Sequence, residues 1–452
     1  MSAISRLTSP LRKAIEFPQL LRKAVPFLPA QPEKDAPASQ SAKAEKIFGR
    51  WLQMERYRNG IQPRPNNPMA TYSELELQYR PNSPLASFSV PAFTLTNGDS
   101  RIHKGLFLSQ AIAKKYLQKD GVLLPVHPQT CDARTIPHIE EVTAGEKTEI
   151  EVSPTASSRT VFVLDPTLPP HCLKLHFPFQ ITRSKRSLDQ RTIQHSIAVS
   201  DSLASSDVFK TNPAIGFLLE TLGISFKEGD SSWGALVREM TPYPRMQSDA
   251  ALLPLFSLYA PNTQDPGEPP LLESLIEESG ENPAEFILER IFYPLLKGWA
   301  DVFLETGVLL EAHGQNTCIE YDPATGLGRI IFRDFDTYVN QEMREKRGLP
   351  AKDLMMFRNE DTDTKPQGSV FSLLYDQAMR VPFDSIAAAA EKKYGIPKAF
   401  LQEKCRLYLR QIFPEGDLYF PKDGKVYNYK EGVLEPGVKT RVVATGTPPQ
   451  WR

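Results

Sequence analysis

A short polar segment followed by a predicted hairpin constrains this chain more than any other feature. Residues 311–316 read Glu-Ala-His-Gly-Gln-Asn, and a second acidic segment, Arg333-Asp-Phe-Asp336, begins seventeen positions later. An apolar strand enters a turn that contains Asp322-Pro323 and Gly326, and a second apolar strand returns to Phe332, as is typical of a β-hairpin. The sequence therefore predicts that both polar segments meet at the open end of one hairpin.

The register of this hairpin gives specific expectations. If the turn centres near Thr325, Asn316 lies opposite Asp334. Glu311 and His313 would share one face of an extended segment, because side chains alternate along a strand. Such a cluster could hold Mg²⁺ and a nucleotide, since magnesium prefers carboxylate oxygens and substrate phosphates. A solvated hairpin end with ordinary capping amides is the alternative interpretation.

Composition excludes several classes of protein. The 452 residues suffice for two or three cores, and 53 basic against 54 acidic residues indicate no nucleic-acid partner. No apolar run approaches the length of a membrane span, so no stable membrane insertion is expected. The four cysteines form no Cys-x-x-Cys pair, which argues against structural zinc and a disulfide framework and predicts a cytoplasmic location.

The N-terminal segment is expected to stand apart from the folded part. The first thirty residues are rich in Arg and Lys, and residues 29–45 have the composition of a linker. We predict a flexible basic tail and linker over residues 1–45. An amphipathic organelle-targeting or membrane-surface helix is the alternative for the first thirty residues.

Apolar patterns predict the fold class. The middle third carries strand patterns, a helix is predicted at Ile215–Leu222, and Pro294 should kink or split the amphipathic stretch Ala284–Leu310. The fold class is therefore α+β, with a β-rich middle and a mainly helical C-terminal half that one hairpin interrupts. The other predicted elements are strands at Thr148–Val152, Thr160–Leu164 and Leu173–Ile181, and helices at Gly368–Met379, Asp384–Tyr394 and Lys398–Ile412.

A second group of candidate residues lies in the β-rich middle. Ser157 and Arg159 would share a face if the segment is extended, and Thr160 follows. Lys174 lies on a later predicted strand, and Thr182 and Arg186 come after it. Cations and hydroxyls on adjacent strands suit a triphosphate, because charge-assisted hydrogen bonds to phosphate are strong and Arg makes them in a bidentate fork. A polar sheet edge with solvated charges is the alternative.

Together these segments resemble a known family, the aerobactin-synthetase-type (IucA/IucC-type) siderophore synthetases that are independent of nonribosomal peptide synthetases. The segments occur in the family's order. In addition, Leu124-Pro-Val-His127-Pro-Gln129 resembles the family's Leu-Pro-Val-His-Pro-Trp-Gln element, but this chain lacks the Trp. The matching segments are Pro154-Thr-Ala-Ser157-Ser-Arg159-Thr160, Lys174 with Thr182 and Arg186, Glu311-x-His313-x-Gln315-Asn316 and Arg333-Asp334-Phe335.

The resemblance implies a cupped-hand architecture and an ATP- and Mg²⁺-dependent ligase. Such an enzyme adenylates one carboxylate of a polycarboxylic acid, citrate by default, and condenses it with an amine or hydroxyl to an amide or ester in siderophore-type biosynthesis. The implied regions are a thumb-like region at 46–145, β-rich fingers at 146–245 with the phosphate-binding motif, and a mainly helical palm at 246–452 with the Glu311–Asp336 hairpin.

The resemblance also implies a role for each candidate residue. Lys174, Arg186 and His313 would be catalytic, acting through charge and positioning, so no covalent protein nucleophile is needed and Cys318 is expected to serve packing. Glu311 and Asp334 would hold Mg²⁺. The implied ATP-binding residues are Ser157, Arg159, Thr160, Lys174, Arg186, His313, Gln315 and Asn316.

The chain departs from the family on its N-terminal side. The stretch Arg56–Ala70 contains no histidine where members carry one for the carboxylate substrate, so we expect a shortened and divergent N-terminal part. The expected partners are the acid and the amine or alcohol, and a homodimer is the assembly to test. A kinase-like phosphotransferase, suggested by His313, Asn316 and Asp334-Phe-Asp, and a non-catalytic member of the family are the rival hypotheses.

Overall fold

The computed structural model describes most of the chain from residue 49 onward. The predicted tail and linker, residues 1–45, lie outside the described part of the chain. The described residues are 49, 51–59, 74–81, 83, 87–96, 98–119, 121–133, 136–181, 184–227, 229, 231–245, 250–430 and 441–452.

Strands occur throughout this part of the chain and are numbered in chain order. The first nine are β1 (Phe88–Leu95), β2 (Ser100–Lys104), β3 (Leu117–Gln118), β4 (Gly121–Pro125), β5 (Lys147–Pro154), β6 (Thr160–Val163), β7 (His171–Leu175), β8 (Phe177–Ile181) and β9 (Ser184–Arg186). The others are β10 (Ile215–Phe217), β11 (Glu220–Phe226), β12 (Trp233–Glu239), β13 (Ala251–Pro254), β14 (Val308–Leu309), β15 (Thr317–Asp322), β16 (Gly326–Phe332), β17 (Tyr338–Asn340), β18 (Met356–Phe357), β19 (Tyr427–Tyr429) and β20 (Val442–Ala444).

Helices dominate the C-terminal half, as predicted. Two π-helical segments, Ile287–Phe292 and Leu373–Gln377, interrupt the α-helices there. The α-helices are α1 (residues 51–57), α2 (Gln110–Tyr116), α3 (Pro128–Asp132), α4 (Ile139–Thr143), α5 (Gln190–Ala204), α6 (Val208–Thr211), α7 (Leu271–Ser279), α8 (Pro283–Phe286), α9 (Tyr293–Thr306), α10 (Gln341–Arg347), α11 (Ser369–Ser372), α12 (Arg380–Tyr394) and α13 (Lys398–Ile412).

The largest sheet that the described residues form has nine antiparallel strands, in the order β2-β11-β12-β7-β6-β5-β1-β4-β3. Strands β1 to β4, which precede residue 146, join β5 to β7, β11 and β12, which follow it, in this one sheet. Helix α5 packs on β11, where Gly223 permits the contact: a Cβ there would lie 2.1 Å from Ile193 Cγ2. Through β12, β11 is connected to β7, the strand that carries Lys174.

A smaller sheet contains the predicted hairpin. In the described residues its order is β10-β16-β15-β13, with β10 parallel to β16 and the other pairs antiparallel. The predicted helix at Ile215–Leu222 is wrong, because this segment pairs as β10 with the hairpin and continues as β11 in the large sheet. Cross-strand pairing outweighs local helix propensity at this position.

The amphipathic stretch before residue 311 stays helical through the proline, so the predicted split is wrong. Asn282 caps α8 by accepting hydrogen bonds from the Ala284 and Glu285 amides, a π-helical segment follows, and α9 continues from it with Pro294 in its first turn. Proline lacks the N–H of a regular helical hydrogen bond, and the departure from the α-helical pattern lies directly before it. Gly307, with φ +73°, ends α9 and lets the chain turn into β14 and residue 311.

The other predicted strands and helices agree with the structure within a few residues. The predicted strand Leu173–Ile181 divides into β7 and β8 at His176, and the hairpin strands are β15 and β16. Within the described residues, no helix is both long enough and apolar enough to cross a lipid bilayer. In this mixed α/β architecture, the two groups of candidate residues lie on the nine-stranded sheet, on the hairpin sheet and in the loops that follow their strands.

Candidate active site

The segment between β5 and β6 forms a tight turn, residues 155–159, rather than the extended stretch expected. The Ser158 amide donates to the Thr155 carbonyl at 3.0 Å, and Ser158 has φ +67°. Ser157 Oγ accepts a hydrogen bond from the Thr160 amide at 3.2 Å. The expected common face of Ser157 and Arg159 is therefore wrong, because short polar side chains here bond to nearby backbone and stabilise a turn.

Arg159 extends from this turn to the end of β9. Its Nη1 donates to the carbonyl oxygens of Arg186 at 2.8 Å and Ser187 at 2.9 Å. Burial, followed by repulsion from Arg186, lowers the pKa of Arg159 to about 10. The guanidinium remains charged at neutral pH, so the structure holds two of the predicted phosphate-binding cations side by side.

Lys174 and Asp334 form the central ion pair of the site. Lys174 is 1% exposed on β7, and its Nζ donates to Asp334 Oδ1 at 2.6 Å. Thr160 is the cross-strand partner of Lys174 in the β6–β7 pair. The fold thus joins the 155–159 turn, through Thr160 and Lys174, to an acidic residue 160 positions further along the chain.

Sequence analysis missed two buried charged residues beside Asp334. Arg238 on β12 lies 2.6 Å from Glu220 Oε1 and 3.5 Å from Asp334 Oδ2, and Glu220 Oε2 accepts from the Phe335 amide at 3.3 Å. Both side chains are 3% exposed or less. The sequence offered one signal for these residues, because each lies in an otherwise largely apolar strand. A charge that is buried in such a strand needs a charged or hydrogen-bonding partner.

The cations determine the charge of Asp334. Burial alone would raise the pKa of this carboxyl, but Lys174, Arg238 and Arg159 hold it well below its usual range. Asp334 also has φ +72°, a left-handed conformation that is uncommon outside glycine. The residue is therefore fully ionised, and the Glu220 contact to the next amide supports its unusual backbone.

Arg186 links this ion pair to the other acidic candidates. Burial lowers the pKa of Arg186, while Glu311, Asp334 and Asp336 act in the opposite direction, in that order. These carboxylates therefore lie close enough to act on one guanidinium. Thr182, which the family resemblance includes, lies outside the described residues.

The acidic residues fit a magnesium ion by their chemistry. Their carboxylate oxygens are the hard ligands that Mg²⁺ prefers, and Mg²⁺ commonly uses one or two carboxylates with substrate phosphates and water. Among the described residues, no group of three or more His, Cys, Asp or Glu side chains is arranged to hold a metal ion. The donor chemistry of Glu311 and Asp334 suits a hard divalent cation.

Residues 311–316 form a second turn, which corrects the expectation of an extended segment. The His313 amide donates to the Glu311 carbonyl at 2.9 Å, and the Asn316 amide donates to the His313 carbonyl at 3.1 Å. His313 Nδ1 accepts from the amides of Gln315 at 3.0 Å and Asn316 at 3.3 Å. Because Nδ1 accepts, the proton of the neutral ring lies on Nε2.

The hairpin register differs by one residue from the prediction. The Arg333 amide donates to the Asn316 carbonyl at 2.9 Å, so Asn316 lies opposite Arg333 rather than Asp334. The turn centres one residue earlier than expected, and an irregularity between Ile319 and Tyr321 shifts the pairing again. A shift by one residue reverses the face on which a side chain lies. Asp334 thus follows the last hairpin contact, where its left-handed backbone turns it toward Lys174.

A cavity of about 340 Å³ opens beside the 311–316 turn. Its lining includes Glu311, His313 and Gln315 of this turn together with many apolar side chains. Its remaining lining residues are Phe256, Tyr259, Gly314, Leu373, Leu374, Gln377, Ala378, Val381, Asn428 and Tyr429. The cavity has room for an organic group next to the charged cluster.

The structure assembles most of the predicted residues into one region. Arg159, Lys174, Arg186, Glu311 and Asp334 are linked by hydrogen bonds or by their effects on one another's charge. Ser157 lies in the 155–159 turn, and Thr160 follows it as the first residue of β6. The 311–316 turn contains His313, Gln315 and Asn316. Ser157 Oγ accepts from the Thr160 amide, and the Asn316 main-chain amide donates to His313 Nδ1.

Two family models match successive parts of the chain. Residues 85–260 match the model described as the IucA / IucC family, and residues 288–418 match one described as ferric iron reductase FhuF-like transporter. A curated relative is the L-2,3-diaminopropanoate–citrate ligase of Staphylococcus aureus (strain NCTC 8325 / PS 47), 29% identical over 244 residues. The match covers 49% of this chain and 40% of the ligase, so the chain matches less than half of that relative's length.

Solved structures share the fold over most of the chain. The petrobactin biosynthesis protein AsbB from Bacillus anthracis has a TM-score of 0.64 and 15% identity, covering 91% of this chain and 77% of its own. ATP-bound aerobactin synthetase IucA from Klebsiella pneumoniae has a TM-score of 0.59 and 17% identity, covering 90% and 80%. Aerobactin synthetase IucC from Klebsiella pneumoniae has 0.60 and 14%, covering 83% and 71%. The large antiparallel sheet and its helices match the fold of these proteins.

Proposed function

We propose that the chain is a member of the IucA/IucC family of siderophore synthetases that are independent of nonribosomal peptide synthetases, which the match of residues 85–260 supports, and that it is an ATP- and Mg²⁺-dependent ligase. A carboxylate oxygen of a polycarboxylic acid attacks the α-phosphorus of ATP, and the bond to pyrophosphate breaks. An amine or hydroxyl then attacks the acyl carbon of the adenylate, AMP leaves with the bonding electrons, and the nucleophile loses a proton. The product is an amide or an ester.

The convergence of Arg159, Lys174 and Arg186 on Asp334 carries this proposal. A triphosphate has roughly four negative charges, and buried cations stabilise such charge more strongly than solvated ones. The cations are held in place before any ligand binds, by the Arg186 and Ser187 carbonyls and by Asp334. Such preorganisation favours an enzyme that must stabilise charge as the α-phosphate is attacked.

Lys174 can serve Asp334 and a phosphate at the same time. Its ammonium has three N–H donors, and one of them is used by Asp334 Oδ1. Asp334 therefore orients the ammonium and leaves donors for phosphate oxygens. Arg238 adds a second positive charge at Asp334 Oδ2, so the carboxylate stays ionised when part of the lysine's charge is directed to phosphate.

The 311–316 turn contributes both metal and nucleotide contacts in this proposal. Glu311 and Asp334 would hold Mg²⁺, which when bound neutralises phosphate charge and orients the leaving pyrophosphate. His313 would donate from Nε2, because its Nδ1 is fixed as an acceptor. Gln315 and Asn316 would contact the nucleotide or the metal ion. The 340 Å³ cavity beside the turn would take an organic part of the substrates.

Substrate identity rests on the relatives. The Staphylococcus aureus relative is named for citrate and L-2,3-diaminopropanoate, so citrate is the first acid to test. The thumb-like region (46–145), the fingers (146–245) and the palm (246–452) of a cupped hand are part of the same proposal. A cytoplasmic location, a homodimer and a role in siderophore-type biosynthesis are also predictions at this point.

The deciding experiment supplies the protein with ATP, Mg²⁺, hydroxylamine and a panel of di- and tricarboxylates. We expect pyrophosphate release and hydroxamate formation with at least one acid, because hydroxylamine traps an acyl-adenylate. Release of ADP and phosphate instead would favour the kinase-like alternative. Nucleotide turnover with none of the acids would favour the non-catalytic alternative and contradict the ligase.

A further inference from the structure

Helix α1 inserts a fully buried carboxylate between the two turns of the site. Glu55 is 0% exposed; its Oε2 accepts a hydrogen bond from the Ala156 amide at 3.1 Å, and its Oε1 lies 2.5 Å from Arg333 Nη1. Ala156 belongs to the 155–159 turn, and Arg333 immediately precedes Asp334. One side chain from the N-terminal side of the chain therefore contacts both halves of the candidate site.

Arg333 extends this connection to the 311–316 turn. Its Nε donates to the Gln315 carbonyl at 2.7 Å, and its side chain is 6% exposed. Burial would lower the pKa of Arg333, but Glu55 raises it above its usual range. The Arg333 guanidinium is thus charged, and a continuous path of contacts runs from the Ala156 amide through Glu55 and Arg333 to Gln315.

The position of α1 does not depend on Glu55 alone. Arg56 donates to the carbonyls of Pro81 and Ser83, and Arg58 donates to the carbonyl of Pro269. Trp51 packs edge-on against Phe162 of β6 at 5.1 Å, within a cluster that also includes residues of β13, β15 and β16. Helix α1 is therefore anchored where the large sheet meets the hairpin sheet, and Glu55 extends from that anchor.

We propose that Glu55 is a positioning residue that fixes the separation of the 155–159 turn and the 311–316 turn. The inference rests on the proposed function, since these turns carry the residues assigned to phosphate and to metal. Neither turn can shift without breaking a buried charged contact to Glu55 or Arg333. Substrate positioning is sensitive to displacements of about 1 Å, which can change rates by about 100-fold.

The test compares two double variants that each convert a buried ion pair to a neutral amide pair. Glu55→Gln with Arg333→Gln removes the proposed connection without leaving a lone buried charge. Glu320→Gln with Arg329→Gln is the matched control, because that pair is also buried, 2.7 Å apart, and joins β15 to β16. Glu55→Gln alone is a third variant, which retains an acceptor for the Ala156 amide.

We expect the Glu55/Arg333 variant to raise the KM for ATP and lower kcat/KM for pyrophosphate release by about 100-fold. A variant that only unfolds a fraction of the molecules loses kcat and keeps the KM for ATP. The Glu320/Arg329 control should keep the wild-type KM. Equal KM values for ATP in the two double variants would overturn the inference.

Amide hydrogen exchange separates this inference from the proposed function. In the Glu55/Arg333 variant, amides of residues 155–160 and 311–316 should both exchange faster than in the wild type, while the control leaves them unchanged. If the wild type releases no pyrophosphate, the ligase proposal fails and the exchange pattern alone decides on Glu55. Unchanged exchange in either turn would overturn the positioning role.

Discussion

Lys174 Nζ donates a 2.6 Å hydrogen bond to Asp334 Oδ1, joining a strand of the large sheet to the residue that follows the hairpin. The lysine is buried, and its partner is held well below its ordinary pKa by Lys174 and Arg238 despite burial. An ionised pair with one buried partner is costly unless further charges accompany it. In this protein those charges are Arg238, which lies 3.5 Å from Asp334 Oδ2, and Arg159, one of the arginines expected to bind phosphate.

Replacing Lys174 by methionine should remove most of the activity. The change keeps the length of the side chain but removes the ammonium that faces both Asp334 and the proposed phosphates. We expect kcat for pyrophosphate release to fall by about 100-fold to 1,000-fold. Lys210→Met is the control, since Lys210 is exposed and pairs only locally with Asp207. Activity near wild type in Lys174→Met would contradict the assignment.

Arg159→Ala should abolish pyrophosphate release and leave the protein folded. The variant loses two hydrogen bonds to backbone carbonyls, which costs about 1–3 kcal/mol of unfolding free energy in total. Circular dichroism and thermal unfolding check the fold, and the pyrophosphate assay checks the activity. Arg191→Ala, an exposed change on α5, should preserve both. Wild-type turnover in Arg159→Ala would rule out a role for this arginine in phosphate binding.

Glu311→Gln should increase the magnesium concentration needed for activity. Removing one anionic oxygen ligand weakens binding of a hard divalent ion, and we expect the half-saturating Mg²⁺ concentration to rise about ten-fold or more. Chelation with EDTA should stop the wild-type reaction, and added Mg²⁺ should restore it. Glu281→Gln, which removes a surface carboxylate paired with Arg290, serves as the control. An identical Mg²⁺ titration for Glu311→Gln and wild type would exclude Glu311 as a ligand.

Arg238→Met should destabilise the fold more than loss of a surface ion pair. Arg238 and Glu220 are almost completely buried, so the variant leaves an unpaired buried carboxylate and should cost about 3–5 kcal/mol. Arg290→Met removes an exposed pair and should cost at most about 1 kcal/mol. Urea unfolding measures both. Similar losses of unfolding free energy in the two variants would show that Glu220 keeps a compensating partner when Arg238 is removed.

Acid should destabilise the protein progressively below pH 6.5. Burial lowers the pKa of His127 and of His176 to about 3 and that of His171 to about 4, against an ordinary value of 6.5. The unfolded chain binds protons at these positions that the folded chain excludes. This part of the stability is therefore complete above pH 6.5 and declines as the pH falls toward the folded pKa values.

His171→Gln tests this origin of the acid sensitivity. The variant removes one buried titrating group, so the slope of unfolding free energy against pH should decrease by about 1.4 kcal/mol per pH unit in the interval between the two pKa values. Urea unfolding across about pH 4 to 6.5 gives the slope. A slope equal to that of the wild type would show that His171 does not contribute.

The hairpin and its neighbouring elements show which structural features the sequence predicted and which it did not. Apolar alternation around Gly326 located β15 and β16 correctly, whereas the helix before residue 311 continues through its proline by way of a π-helical segment. The partner of Asn316 was missed by one residue, because the turn centres at residue 324 instead of 325 and the irregularity after Ile319 restores only part of that shift. Pairing with β16 and with β12 made Ile215–Leu222 strands.

The sequence by itself determined the α+β class, the order of the polar segments and the set of cations and carboxylates that carries the family resemblance. These features depend on residue type and local spacing, which a single chain displays directly. Only the tertiary structure decided which charges meet. Glu55, Glu220 and Arg238 look like ordinary charged residues along the chain. Folding buries each of them next to Arg333 or Asp334, and a charge buried in this way requires a partner.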